Sequence, residues 1–378
     1  MLSFFRYLLP TVVLIGLVNT GFGQAVDIYV KDDITKPFKK AEIASESVRG
    51  VQLKGNNIFI SANDLYDINY ATRITTASVR VGVYGRATTA EREAREATKP
   101  GDKADGLLKA ANLYKAGIEK LPANVTFTKR HFAFKSGYLK AQAALIGGKD
   151  YEKAGEEAAA ELTAFKKAND KSWQYTLTML TLARLQLHNG NSAAARKLYS
   201  ELAKHPGVPD DVRNEVSYRE AKMLMAENNF TGAKKTLTEL IPNLTKGSIQ
   251  SMQAKLDEIV CMAELNQRAQ AISKLKVMQK EIPANKKEIK ALVYNTLGEL
   301  YFRESNWQEA RWPFLWVDVI YNEDPSEHAK ALYYLYKIFN ELNEIDRAEE
   351  CFNTLTEDAR FTNSEYRQKA MKEREKAG

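Results

Sequence analysis

The segment Tyr294–Phe314, YNTLGELYFRESNWQEARWPF, decides how the rest of the chain is read. Tyr294, Leu297 and Tyr301 recur at offsets of three, four and seven residues, which places them on one stripe of a helix. Gly298 lies within that helix and Ala310 within the next, both small where two helices would cross closely. Asn306 stands at the tight turn between them. The segment therefore reads as helix, short turn, helix.

The same layout recurs outward from this segment. Aligned on the small residue after each turn, the copies fall at Ala154, Ala195, Ala233, Ala271, Ala310 and Ala348, with steps of 41, 38, 38, 39 and 38 residues. Four residues on from the alanine stands an apolar or aromatic side chain in five copies: Tyr199, Leu237, Leu275, Phe314 and Phe352. Several turns are alike, as in Asn229-Phe230-x-x-Ala233 and Asn306-Trp307-x-x-Ala310. At the place of Gly298 the other copies carry Gln142, Ala183, Ala221, Ile259 and Tyr336, so their helices are expected to cross at other distances. Thr88 to Thr98 with Lys103 to Leu121 reads as an atypical opening pair, and the charged Ser364 to Lys376 as a polar closing helix.

The aromatic, Leu-Gly and Tyr on the first helix, with Ala and Phe on the second, resemble a tetratricopeptide repeat. The resemblance implies a mainly α chain: an α-solenoid of about seven helix-turn-helix repeats with period 38–41, longer than the family's unit of about 34 residues. It also implies a protein-interaction scaffold that holds a partner in a groove lined by the first helices. Carried over from the Tyr294 unit, the groove positions are Asn295, Glu299 and Arg303, with Arg184 and His188, Tyr218 and Lys222, and Tyr333, Lys337 and Asn340 in other copies. Arg184, Lys222, Arg303 and Lys337 would form a basic row that favours an acidic peptide or chain end.

Before the repeats the pattern changes. Residues 26–84 hold short β-prone runs, Ile28 to Val30, Val48 to Leu53, Ile58 to Ile60, Leu65 to Tyr70 and Val79 to Tyr84, with a hairpin signal at Gly55-Asn56-Asn57. They predict a small β module of four or five strands, similar to those preceding helical repeats in some exported bacterial proteins of the planctomycete type. Residues 1–25 have the layout of a secretory signal peptide: Arg6, the apolar run Tyr7 to Val18, and small residues giving cleavage after Gly23 or Ala25. An uncleaved membrane anchor through residues 7–18 is the alternative, although that run is shorter than the roughly 20 residues a span needs. The expected layout is thus 1–25 leader, 26–84 β module, 85–362 solenoid and 363–378 capping helix. An exported chain of this kind is expected in the periplasm or outside the cell.

Little in the sequence points to chemistry. With 44 % hydrophobic residues the 378-residue chain can pack an ample core. Cys261 and Cys351 fall on separated helices and read as small core residues. His131, His188, His205 and His328 lack the spacing of a zinc helix, and Gly147-Gly148-Lys149-Asp150 lacks the rest of a phosphate loop, so no cofactor or metal is expected. Asp210-Asp211 and Glu323-Asp324 sit beside prolines where helices begin, where acids cap the helix. The net charge of +7 is spread in short lysine pairs with acids nearby, which does not suit nucleic acid. The late aromatics Trp307, Trp312, Phe314, Trp316, Tyr333, Tyr334, Tyr336 and Phe339 have helical spacing and read as core, with a binding hot spot as the other reading. Pro313 inside its helix would bend it beside Trp312 and Trp316. The expected function is a non-enzymatic envelope scaffold binding a protein partner. The alternative is a polysaccharide-binding or polysaccharide-degrading helical toroid.

Overall fold

A computed structural model describes residues 25–31, 36–55, 57–71 and 74–377. The leader up to residue 24, and Asn56 of the expected hairpin turn, lie outside the described residues. The chain divides into two compact units, one ending at Pro209 and one running from Asp210.

The first unit opens with six strands in two antiparallel sheets. β1 (Val26–Val30) lies between β2 (Phe38–Ala41) and β6 (Leu65–Asn69), and β4 (Gly50–Leu53) between β3 (Ile43–Ser47) and β5 (Phe59–Ser61). Ile28 faces Ile68, and Val51 faces Ile60. The β3–β4 turn requires glycine at position 50: its φ is 144°, and a Cβ there would stand 2.0 Å from the Ile60 carbonyl oxygen.

Val79 to Tyr84, expected as a strand, is helical. α1 (Ala77–Val79) continues through a π-helical turn, Arg80–Gly85, into α2 (Arg86–Glu96). Burial there follows the helical period, with Tyr84 and Ala87 inward and Val81 in solvent, and the Tyr84 hydroxyl accepts the Tyr70 N–H at 3.0 Å. The strand preference of valine is a local bias that packing overrides.

α2 packs on α3 (Pro100–Gly117), and α3 on α4 (Thr126–Gly147). Charges buried among them tie the sheet to the helices. The Lys135 ammonium on α4 donates to Asp67 of β6 at 2.7 Å and to Glu91 of α2 at 2.9 Å. Glu91 also accepts from Arg95 at 2.7 Å and from the Tyr114 hydroxyl at 2.9 Å. Burial alone would raise the Glu91 carboxyl, but the charges of Lys135 and Arg95 hold it at about 2. Burial lowers His131, 3.5 Å from Asp67, to about 4. Nearby, Arg130 donates to both oxygens of Glu46 on β3, at 2.7 and 2.6 Å, and the Trp173 N–H reaches the same carboxylate.

Helix pairs follow: α4 with α5 (Glu152–Ala168) and α6 (Tyr175–His188) with α7 (Ser192–Lys204) in the first unit. In the second, α8 (Asp210–Ala226) pairs with α9 (Phe230–Leu240), and α10 (Ile249–Glu264) with α11 (Arg268–Glu281). α12 (Lys287–Arg303) pairs with α13 (Trp307–Val319), and α14 (Pro325–Glu341) with α15 (Ile345–Glu357). α16 (Glu365–Ala377) packs on α14 and α15.

From α6 onward, all five pairs turn in one way. The residue five places before the repeated alanine takes a left-handed backbone: Gly190, Asn228, Asn266, Ser305 and Asn343, with φ from 54° to 75°. The next N–H then bonds back five residues, Asn191 to Gln186, Asn229 to Leu224, Gln267 to Met262, Asn306 to Tyr301 and Glu344 to Phe339, at 2.7–3.0 Å. This is the Schellman closure of a helix C-terminus, and glycine and asparagine tolerate the required φ best. Ala195, Ala233, Ala271 and Ala310 are fully buried, and Ala348 nearly so. Each pair buries too little alone and stacks on its neighbours within its unit, so the architecture is an α-solenoid preceded by a small β module.

Two outcomes follow from this packing. A Cβ on Gly298 would lie 2.6–2.9 Å from the Phe314 ring, which is itself buried and stacked on Tyr334 at 4.9 Å. Gly298→Ala is therefore expected to destabilise the α12–α13 pair by about 1–3 kcal/mol, read as a lower urea midpoint. The second concerns acid. His131 stays neutral in the fold, so stability falls as pH drops from 6.5 to about 4, where only the unfolded chain takes up its proton. Glu91, held below its ordinary 4.5, contributes stability that is full above that value and lost as pH falls toward about 2. Protection factors of the β6 and α4 amides, corrected for the slower intrinsic exchange in acid, should fall progressively below pH 6.5, and His131→Asn should remove the part of that fall between 6.5 and 4.

Candidate functional site

The first helices of the second unit carry most of the groove positions read from the sequence, and nearly all of them are engaged with a neighbouring helix of the same row. Tyr218 and Lys222 on α8 both donate to Asp257 on α10, at 2.7 and 3.0 Å. Arg303 on α12 pairs with Glu264 on α10, and Glu299 on α12 pairs with Lys330 on α14. Asn295 is fully buried, donating to the Glu327 carboxylate at 2.7 Å and to its carbonyl at 2.9 Å. Tyr333 and Lys337 on α14 reach Glu373 on α16 at 2.7 and 3.4 Å. Asn340 donates to the Tyr336 carbonyl of its own helix. This is a ladder of cross-helix contacts, α8 to α10 to α12 to α14 to α16.

Its consequence is electrostatic. Lys222, Arg303 and Lys337, expected as a basic row, each meet a carboxylate of a neighbouring helix, so their charges are matched within the fold. Pairing holds Arg303 above its usual range, with the Glu264 hydrogen bond as the main cause. In the first unit, Arg184 and His188 stand exposed on α6. Sequence spacing could not reveal the ladder, because its partners lie 31 to 40 residues apart with no fixed period.

The second helices offer a different surface. On α13, Ala310, Pro313, Phe314 and Val317 face inward. The opposite face carries Trp312, 54 % exposed, Trp316, 47 % exposed, Val319 and Ile320. At the places of Trp312, Trp316 and Val319, counted from the repeated alanine, α7 has Lys197, Glu201 and Lys204, and α15 has Glu350, Thr354 and Glu357. α11 has Ser273, Val277 and Lys280, and α9 begins with Lys235 and Glu239. All of these are exposed, and Val277 alone is apolar. The fold therefore does not need apolar side chains at these positions. Arg311 lies over the Trp312 ring at 5.0 Å, and Trp316 rests against Tyr294 and Tyr321, so both indoles are held in place.

Of the acids expected to cap helices, Asp324 does so, while Glu323 pairs with Lys287 at 2.5 Å. Asp324 accepts the N–H groups of Ser326 and Glu327 at the start of α14, and Asp210 pairs with Arg213 in the first turn of α8. A cleft of about 580 Å³ in the first unit is lined by Tyr66, Asp67, Glu91, Arg95 and Tyr114, whose carboxylates are those paired in the buried cluster. Cys261 and Cys351 are buried free thiols, and His328 is buried with Nε2 2.7 Å from Asp318. Among the described residues no group of three or more His, Cys, Asp or Glu could hold a metal, and no helix is long and apolar enough to cross a membrane.

No family model matches this chain, and no curated protein does. Solved structures do. A tetratricopeptide repeat protein from Parabacteroides merdae is 17 % identical, with a TM-score of 0.44, over 75 % of this chain and 98 % of that one. PilW, a type IV pilus biogenesis factor, is 15 % identical with a TM-score of 0.43, over 63 % of this chain and 98 % of its own. NprR in complex with its cognate peptide NprX is 15 % identical with a TM-score of 0.42, over 72 % and 83 % of the two chains. The repeated turns, the buried alanines and the paired helices carry the assignment of the fold. The chain is a helical-repeat protein of the α-solenoid class.

Proposed function

We propose that this chain is a non-enzymatic scaffold that holds a protein partner, and that the outer face of α13 is where the partner docks. The supporting observation is that Trp312, Trp316 and Val319 stand where α7 and α15 carry only polar residues. Tryptophan brings a large apolar area at small entropic cost and is over-represented among residues that dominate binding energies. The ladder on the first helices matches its own charges, so the fitting partner surface is apolar. The leader-like residues 1–25 support export and an envelope location.

The test is affinity capture from the envelope fraction, using the chain and its Trp312→Ser/Trp316→Ser variant as baits. Loss of a reproducible partner is expected on the variant, with its circular dichroism unchanged and its thermal midpoint lowered only by the lost packing of Trp316 on Tyr294 and Tyr321. Equal capture by both baits would remove α13 from the function.

A further inference from the structure

We infer that the α13 face is covered by a second copy of this chain, in a parallel pairing about a two-fold axis running beside α13. The inference rests on reading that face as a docking surface and goes on to name its occupant.

Three features of the second unit support it. The first is spacing. Trp312, Trp316 and Val319 are separated by four and then three residues, the interval of a coiled-coil seam. In a parallel seam each position meets its own copy, so Trp316 would pack on Trp316 and Val319 on Val319. The second is charge. Lys276 of α11 lies over the Tyr301 ring of α12, the partner helix of α13, at 5.5 Å, and Arg311 of α13 reaches Glu344 at the start of α15 at 3.2 Å, so α11 and α15 belong to the repeats on either side of α13. The α11 flank exposes Lys274 and Lys280, and the α15 flank exposes Glu350 and Glu357. A two-fold axis along α13 lays the α11 flank of one copy over the α15 flank of the other. Lys280 and Glu357 both stand nine residues after their repeated alanine, Ala271 and Ala348, and so face each other at one level. A two-fold interface must be self-complementary, and this surface is: apolar in the middle, basic on one side and acidic on the other. The third feature is Val277, which continues the apolar patch onto α11 at the level of Trp316.

The full chain should sediment at twice its monomer mass at micromolar concentration. Trp316→Ser should weaken the self-association more than about tenfold, with the helical circular dichroism of the chain retained. Lys280→Glu and Glu357→Lys should each weaken it, and the double exchange should restore it. Val319→Cys should link to its own copy through a short bismaleimide, while Cys261 and Cys351, being buried, give no link in the unaltered chain. A dimer indifferent to Trp316→Ser, or a double exchange as weak as either single one, overturns the pairing. A chain that stays monomeric yet captures a partner through Trp312 and Trp316 also overturns it and leaves the docking reading standing. A monomer whose captured proteins ignore both tryptophans overturns both.

Discussion

Everything after α5 depends on how closely one helix backbone can approach the next at the repeated alanine. Ala195, Ala233, Ala271 and Ala310 have no exposed surface, and each has a helix of its own pair against it. A larger side chain there would push the helices apart and lose the dispersion contacts of every residue along the crossing. The left-handed turn five residues earlier delivers the alanine to that crossing. Its hydrogen bond back across five residues sets where the second helix starts, so the turn and the crossing form one constraint. The same logic holds at Gly298, where the Phe314 ring takes the space a Cβ would need.

The alanine phase was therefore open to reading from the sequence, because small residues recur at a nearly even interval and turn residues precede them. The strands at Val26–Val30, Gly50–Leu53, Phe59–Ser61 and Leu65–Asn69 matched β-prone runs. Phe38–Ala41 and Ile43–Ser47 escaped notice, since the Lys-Lys-Ala and Ala-Ser-Glu-Ser residues there show no apolar alternation. Val79 to Tyr84 misled in the other direction, its valines favouring a strand that burial of Tyr84 against the helices overrides. The buried charges were hidden as well: Lys135 and Glu91 sit in helices full of similar residues, and only the third dimension separates a desolvated ion pair from a solvated face.

The candidate surface shows the same division. The tryptophans were visible, and their helical spacing argued for core. What the spacing could not give was the side of the helix they occupy, because Phe314 and Val317 supply a complete inward face without them. The groove positions were visible too, but not that a neighbouring helix had already claimed them. Cross-helix pairs such as Lys222 with Asp257 hold successive repeats in register, at the cost of the charge they would otherwise offer outward.

The contacts that close the β module have a consequence for the order in which the chain matures. Most contacts of a helix pair join residues within one or two repeats, so they form soon after those residues are made. Glu46, by contrast, waits for Arg130, 84 residues later, and for Trp173, 127 residues later. Closing such long loops costs entropy that local pairing does not. During synthesis the strands emerge first, yet Glu46 and Asp67 gain their partners only once α4 and the segment before α6 have followed. The oldest part of the polypeptide is in this sense completed only when the chain has been made as far as Trp173, well after its own strands.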